Sequence, residues 1–167
     1  AEWPGTKPVG DITCLPTAEG RLHLACRLDL ATREVVGYAT ADHHRASLVA
    51  DALKTAHGRG GLQPERITHS DRGSEYTSAE FRRKIIELGL RQSCGRTGSC
   101  FGNAAAESFW TLLKEEIRTR PDRTTARAEV LAFTETFHNR RRLRKHKAFG
   151  YLTPAETRQR HQHTLAA

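Results

Sequence analysis

Between Leu22 and Leu30 an apolar side chain falls on every second residue, at Leu22, Leu24, Cys26, Leu28 and Leu30. A period of two gathers these groups on one face of a β-strand, whereas a helix would scatter them around its circumference. That strand has apolar neighbours on both sides in the chain. Val9–Leu15 precedes it across a Pro16…Gly20 turn, and Val35–Ala39 follows a short turn at Ala31–Arg33. Three apolar runs joined by turns this short predict a three-stranded meander with one buried face along Leu22–Leu30.

Beyond residue 40 the period changes. Leu48, Val49, Ala52, Leu53 and Ala56 form one helical stripe, which Asp42 is expected to cap and Gly58 to close. Arg66–Ser70 reads as a fourth strand ending at Asp71. Thr77-Ser78-Ala79-Glu80 has the form of a capping box, opening a helix that buries Phe81, Ile85 and Leu88 and stops at Gly89. Leu90–Ser93 supplies a fifth strand. Gly95, Gly98 and Gly102 fall within one eight-residue stretch, which reads as a mobile loop. Asn103 opens a long helix with Ala106, Trp110, Leu113 and Ile117 inward, and another helix spans about Thr124 to Asn139. The order predicts an α/β domain, a five-stranded mixed sheet flanked by helices. After it, His138–Lys147 carries six Lys or Arg and no acid, a pattern common to solvated faces and tails. Thr153-Pro154-Ala155-Glu156 resembles a capped helix start, and residues 161–167 read as a frayed end.

A length of 167 residues suits one core. Its net charge of +8 favours a polyanionic partner, nucleic acid before membrane. No run of about 18 apolar residues predicts a membrane span, and no signal peptide is legible. The absence of Met points to a piece of a longer chain. Cys14, Cys26, Cys94 and Cys100 form no CxxC pair, and the histidines offer no zinc spacing. Reduced thiols in a cytoplasmic, nucleoid-associated protein fit best, although Cys94 and Cys100 flank the glycine-rich loop and can pair under oxidation.

Three carboxylates stand out against this frame. Asp11 lies in the first strand, Asp71 ends the fourth, and Glu107 rides the helix opened by Asn103. Carboxylates delivered by distant elements are how a chain builds an oxygen cage for Mg²⁺ or Mn²⁺. Each has a plainer role available: Asp71 can start a turn, and Glu107 can favour a helix dipole. Lys114 lies two turns beyond Glu107 on the same face, where a cation would meet a DNA phosphate. His69, Arg72, Ser74 and Asn103 sit near the acids. His69 reads equally well as a packed imidazole, and Asn103 is first a helix cap.

Four stretches then resemble bacterial insertion-sequence transposases: Asp11-Ile12-Thr13, His69–Ser74, Asn103–Phe109 and Gly150–Glu156. The group is the insertion-sequence-three family, whose second-frame protein carries a retroviral-integrase-like catalytic core, and the resemblance runs from about Val9 to Glu156. It implies a ribonuclease-H-like fold. It implies that Asp11, Asp71 and Glu107 are the catalytic acids and metal ligands, holding two Mg²⁺ or Mn²⁺ ions when DNA is bound. It further implies cleavage and strand transfer on DNA, the element ends and the target, by a homo-oligomer.

Lys114, Arg72, Asn103, Arg140, Arg141 and Arg142 are the expected DNA contacts. The expected division is a remnant at 1–8, the integrase-like core at 9–140 and a basic extension at 141–167. Two departures from the family pattern are visible: Gly102 where relatives often carry Asp, and Pro8 where many carry Trp. Glu75 occupies a position where many relatives carry Gln, and is read as an acidic decoy. The family's upstream helix-turn-helix has no counterpart in these residues, so another domain or subunit is expected to supply it. Two alternatives remain at this level: a ribonuclease-H-like nuclease that never joins, and a non-catalytic DNA-binding or multimerisation fragment of a decayed transposase.

Overall fold

The computed structural model describes residues 3–95, 104–118 and 120–166. The meander appears as β1 (Pro8–Thr17), β2 (Gly20–Asp29) and β3 (Val35–Ala41), joined by β4 (Ile67–Ser70) and β5 (Arg91–Cys94). The five form one sheet in the order β3-β2-β1-β4-β5. Pairing is antiparallel within the meander and parallel from β1 to β4 and from β4 to β5. Between the parallel neighbours β4 and β5 runs α3 (Ala79–Glu87), the helical crossover that such pairing requires.

Both faces of the sheet are covered. Leu22, Leu24, Cys26 and Leu28 pack on Phe109, Trp110 and Leu113 of α4 (Ala104–Glu116) and on Ala126 and Val130 of α5 (Arg123–Leu131). On the reverse, Ala25 and Val36 meet α1 (Ala46–Gly58) through Leu48, Val49, Ala52 and Leu53, with Tyr76, Phe81 and Ile85 alongside. The alternation predicts one buried face for β2, but its inner place in the sheet buries the second face as well.

The residue that fills that second face is a cation. Arg27 is 1% exposed. Its Nη1 donates to Thr68 Oγ1 at 3.1 Å, and its guanidinium lies 5.2 Å from the Tyr76 ring centre and 5.0 Å from that of Phe81. To reach β4 from β2 it passes over Gly10, its ladder partner on β1. A Cβ at Gly10 would stand 2.0 Å from Arg27 Nη1, so glycine is the residue that lets the arginine cross.

Helix starts differ locally from expectation. The N-cap of α1 is Arg45, without a side-chain cap, instead of Asp42. His44 is held just ahead of it, stacked on His23 at 5.3 Å, which keeps the chain extended through the expected first turn. Ser78, not Thr77, caps α3 by accepting from Phe81 N at 3.1 Å, because Thr77 already belongs to the short helix α2 (Ser74–Thr77). The helix expected to run to Asn139 widens after α5 into a π-helical stretch, Ala132–His138. That change of pitch turns its end onto β3. His138 Nε2–H donates to the Arg33 carbonyl at 3.0 Å, and the Asn139 amide pairs with Val35 N at 3.0 Å and Val35 O at 3.1 Å.

The chain finishes with a small hairpin, β6 (Arg144–His146) and β7 (Gly150–Leu152), and α6 (Pro154–Ala166). Thr153 and Glu156 form the expected capping box, with Thr153 N donating to Glu156 Oε2 at 2.8 Å and Glu156 N to Thr153 Oγ1 at 3.2 Å. The helix stays regular past His161, which is buried against the rings of Trp3, His146 and Phe149. Packing there outweighs the fraying expected at a terminus. No helix among the described residues is long and apolar enough to cross a membrane.

Candidate metal and nucleic-acid site

The sheet register brings two of the three acids side by side. Val9 pairs with His69 and Gly10 with Ser70, and the next residue on each strand is Asp11 and Asp71. Asp71 closes a turn by accepting from Gly73 N at 3.0 Å, an ordinary aspartate turn that leaves the residue exposed. Asp11 is half-buried, and its Oδ2 accepts from the Trp110 indole N–H at 2.8 Å. Trp110 stands one turn beyond Glu107 on α4, so this hydrogen bond ties the helix carrying the third acid to the strand carrying the first. Glu107 is exposed in the first turn of α4. Among the described residues, no three His, Cys, Asp or Glu side chains gather at distances that could hold one ion. The acids belong to elements that meet but do not form a single coordination shell.

Lys114 is exposed in the last turn of α4, and Arg72 is exposed beside Asp71. Ser74 Oγ donates to Glu75 Oε1 at 2.7 Å, and that carboxylate also lies 3.8 Å from His44. Glu75, read as an acidic decoy near Asp71, does lie beside it. A Cβ at Gly73 would lie 3.1 Å from Asp71 Oδ1 and 3.2 Å from Glu75 Oε2, so the two carboxylates flank one glycine. His69 is half-buried with Nδ1 3.1 Å from Ser93 Oγ; burial, then Lys7, lowers its pKa, so it is neutral at pH 7. Asn103 and Cys100 lie outside the described residues.

The side chains of the basic run border different hollows. Arg140 borders a hollow shared with Glu34, Glu135 and Glu156, and Arg141 is exposed. Arg142 turns instead into a cleft of about 890 Å³ that also takes in Lys7, Arg33, His69, Arg144 and Lys145. No carboxylate is among its described lining residues. Lys7 and Arg33 carry no motif and escaped the sequence reading. A pairing of three distant segments through one cleft leaves no mark on the linear chain. Trp110 was legible as core, but its hydrogen bond to Asp11 was not.

The strand order, the parallel pairing at its centre and the helices on both faces define a ribonuclease-H-like core. Solved structures agree in fold. One protomer in a simian T-cell lymphotropic virus intasome, in complex with PP2A regulatory subunit B56 gamma, superposes with a TM-score of 0.76 at 16% identity, over 95% of this chain and 55% of that one. The HTLV-2 integrase catalytic core domain in complex with magnesium (dimeric form) gives 0.69 at 13% identity, over 93% of this chain and 97% of that one. Sequence specifies the family. An integrase core domain model matches residues 1–100 and a second model of the same description matches residues 88–154, so the chain belongs to the integrase core domain family.

Among its relatives is the transposase for insertion sequence element IS904 of Lactococcus lactis subsp. lactis (strain IL1403), 34% identical over 151 residues, which cover 89% of this chain and 59% of that protein. The transposase InsF for insertion sequence IS3A of Escherichia coli (strain K12) is 37% identical over 159 residues, covering 93% of this chain and 54% of that protein. These matches bear out the resemblance to insertion-sequence-three transposases read from the four motifs. The chain spans 54–59% of the length of these two relatives.

Proposed function

We propose that this chain is the catalytic core of a DNA transposase, performing divalent-metal-dependent cleavage of a phosphodiester and transfer of the resulting 3′ end to a second DNA. One observation carries the reading. The β1–β4 register sets Asp11 beside Asp71, and Trp110 anchors Glu107's helix to Asp11. Asp11, Asp71 and Glu107 would hold Mg²⁺ or Mn²⁺, to which an all-oxygen donor set is suited. Two ions bound there would activate the attacking oxygen and stabilise the leaving one.

The remaining work falls to the chain's own residues. The Trp110 indole fixes one oxygen of Asp11, and the Gly73 amide fixes one of Asp71. Lys114, Arg72, Arg141 and Arg142 contact phosphates and hold the strand. Self-association agrees with the dimeric and trimeric forms of the HTLV-2 integrase catalytic core domain. A helix-turn-helix domain or subunit would supply recognition of the element ends.

The test is Mn²⁺-dependent nicking and joining of labelled DNA by this chain and by Glu107→Gln. Removing a group outside the ligand set already costs about 10–100-fold in metal sites, so loss of a ligand should cost at least about 100-fold. Joined products support the transferase, and nicks alone support a nuclease. A second reading is favoured by the ungathered acids, namely a DNA-binding or multimerisation fragment without chemistry. Calorimetry decides between them: Mn²⁺ binding lost in Glu107→Gln supports catalysis, and no Mn²⁺ binding by either protein supports the fragment.

A further inference from the structure

We infer that the acid-free cleft is a groove for the phosphodiester backbone of one DNA strand, beside the sheet end that carries Asp71 and the first turn of α4. Lys7, Arg33, Arg142, Arg144 and Lys145 come from three separate stretches of chain, and they converge without a carboxylate among the described lining residues. Convergence of like charge costs free energy in the unliganded protein. Burial lowers the Arg144 pKa, and Arg142 and Arg33 lower it further. Arg142 Nη1 is buried with no hydrogen-bond partner among the described residues. A buried guanidinium donor left unmatched is expensive, and an anion in the cleft satisfies it.

Arg33 is also held in a conformation unusual for a residue with a side chain, φ 64°, and its carbonyl is fixed there by His138. A cluster strained in three ways and open to solvent is suited to a polyanion. A space of about 890 Å³ lined by five cations takes a run of phosphates better than a single one. Two lining residues set the direction. His69 lies two residues before Asp71, and Ser108 follows Glu107, so a strand in the cleft leads toward the acids. The inference rests on the proposed DNA substrate and adds where the strand lies.

The experiment measures binding of a fluorescent DNA oligonucleotide against NaCl concentration. It compares this chain with Arg142→Gln/Arg144→Gln and with Arg82→Gln/Arg83→Gln, two exposed arginines of α3. Both double variants lose the same charge. The cleft pair should weaken binding at least about tenfold at ~0.1 M salt and reduce the log–log salt slope by about 1.4–1.8. The α3 pair should change affinity less than about twofold. Thermal melting of the free protein separates binding from folding. A merely structural role lowers the midpoint in the cleft pair, whereas relief of repulsion keeps or raises it.

Equal loss of affinity in the two double variants overturns the inference. So does a lowered midpoint in the cleft pair together with unchanged binding by Arg33→Gln, which leaves the hairpin intact. The functional reading fails separately. If the chain binds neither Mn²⁺ nor nicks DNA while the cleft pair still loses affinity, the groove stands and the transposase chemistry falls. If nicking depends on Glu107 and the cleft pair binds DNA normally, the reverse holds.

Discussion

The acidic end and the basic cleft adjoin one another and are built in opposite ways. Asp71 and Glu107 are exposed, and Asp11 is half-buried with the Trp110 indole on one oxygen. They are carboxylates on three elements that meet without forming one coordination shell among the described residues. The cleft instead forces its cations together: Arg142 and Arg144 are half-buried, and one Arg142 nitrogen has no partner among the described residues. Drawing the acids into one shell would raise their mutual repulsion, which two divalent ions would cancel. Crowding stores repulsion in the cleft that phosphates would cancel. One half is expected to be completed by metal and the other by substrate.

The acidic end can be broken from beneath. Gly10→Ala drives a Cβ to 2.0 Å from the Arg27 guanidinium, which is sealed between Tyr76 and Phe81 and cannot retreat to water. Displacing a buried cation and overpacking a core should together cost about 4 kcal/mol, read by urea unfolding. Adding Arg27→Leu removes the obstacle, and the double variant should recover much of that loss. An additive double variant would show that Gly10 is not there to admit Arg27.

How far the sequence could be read follows the same division. The strands were legible because alternation is a local signal, and all five stand within a few residues of expectation. Asp11, Asp71 and Glu107 stand out because each sits on a different predicted element and within a stretch resembling a known family, and the structure brings those elements into contact. Arg27 was not, because periodicity assigns a polar residue between apolar ones to solvent, and the second helical layer overrules it. Arg45 at the α1 N-cap was missed because His44 stacking on His23 depends on β2, some twenty residues earlier. The π-helical turn at Ala132–His138 answers to β3 pairing by Asn139, a contact 104 residues away in sequence. The cleft was illegible for the same reason.

Acid should weaken the wall of the cleft. Burial, with Arg144 and Arg142 adding to it, holds the His138 pKa down at about 4, against about 6.5 in the unfolded chain. Its Nε2–H is committed to Arg33. The neutral ring therefore contributes stability that is complete above about pH 6.5 and is lost as the pH falls toward 4. The full swing is about 3 kcal/mol. Unfolding free energies measured across that range should fall, and His138→Gln should flatten the slope. A slope unchanged by the substitution would place the acid sensitivity elsewhere, His161 being the next candidate.

Trp110→Phe probes the hydrogen bond that ties α4 to Asp11 of β1. It keeps most of the apolar packing in the α4 core and deletes the donor to Asp11. With Asp11 partly open to water, the cost to folding should be about 1–2 kcal/mol. Mn²⁺ affinity should drop by about tenfold, as for residues that orient metal ligands. A variant that loses stability yet binds Mn²⁺ as tightly as the parent would make Trp110 a core residue alone.

The smallest effect separates neighbours in the basic run. Arg140→Ala and Arg142→Ala remove the same charge two residues apart, so any long-range attraction to DNA falls equally. Their settings differ. Arg140 shares its hollow with three glutamates, of which Glu34 is paired with Arg158 and Glu135 with Arg59, so a phosphate arriving there meets negative charge. Arg142 faces a cleft whose described lining holds no acid. Loss of Arg142 should therefore weaken DNA binding about tenfold, and loss of Arg140 less than about threefold, with the larger drop in salt slope belonging to Arg142. If the two substitutions prove equal, the run acts as a uniform basic tail and the contrast between its two walls has no consequence for DNA.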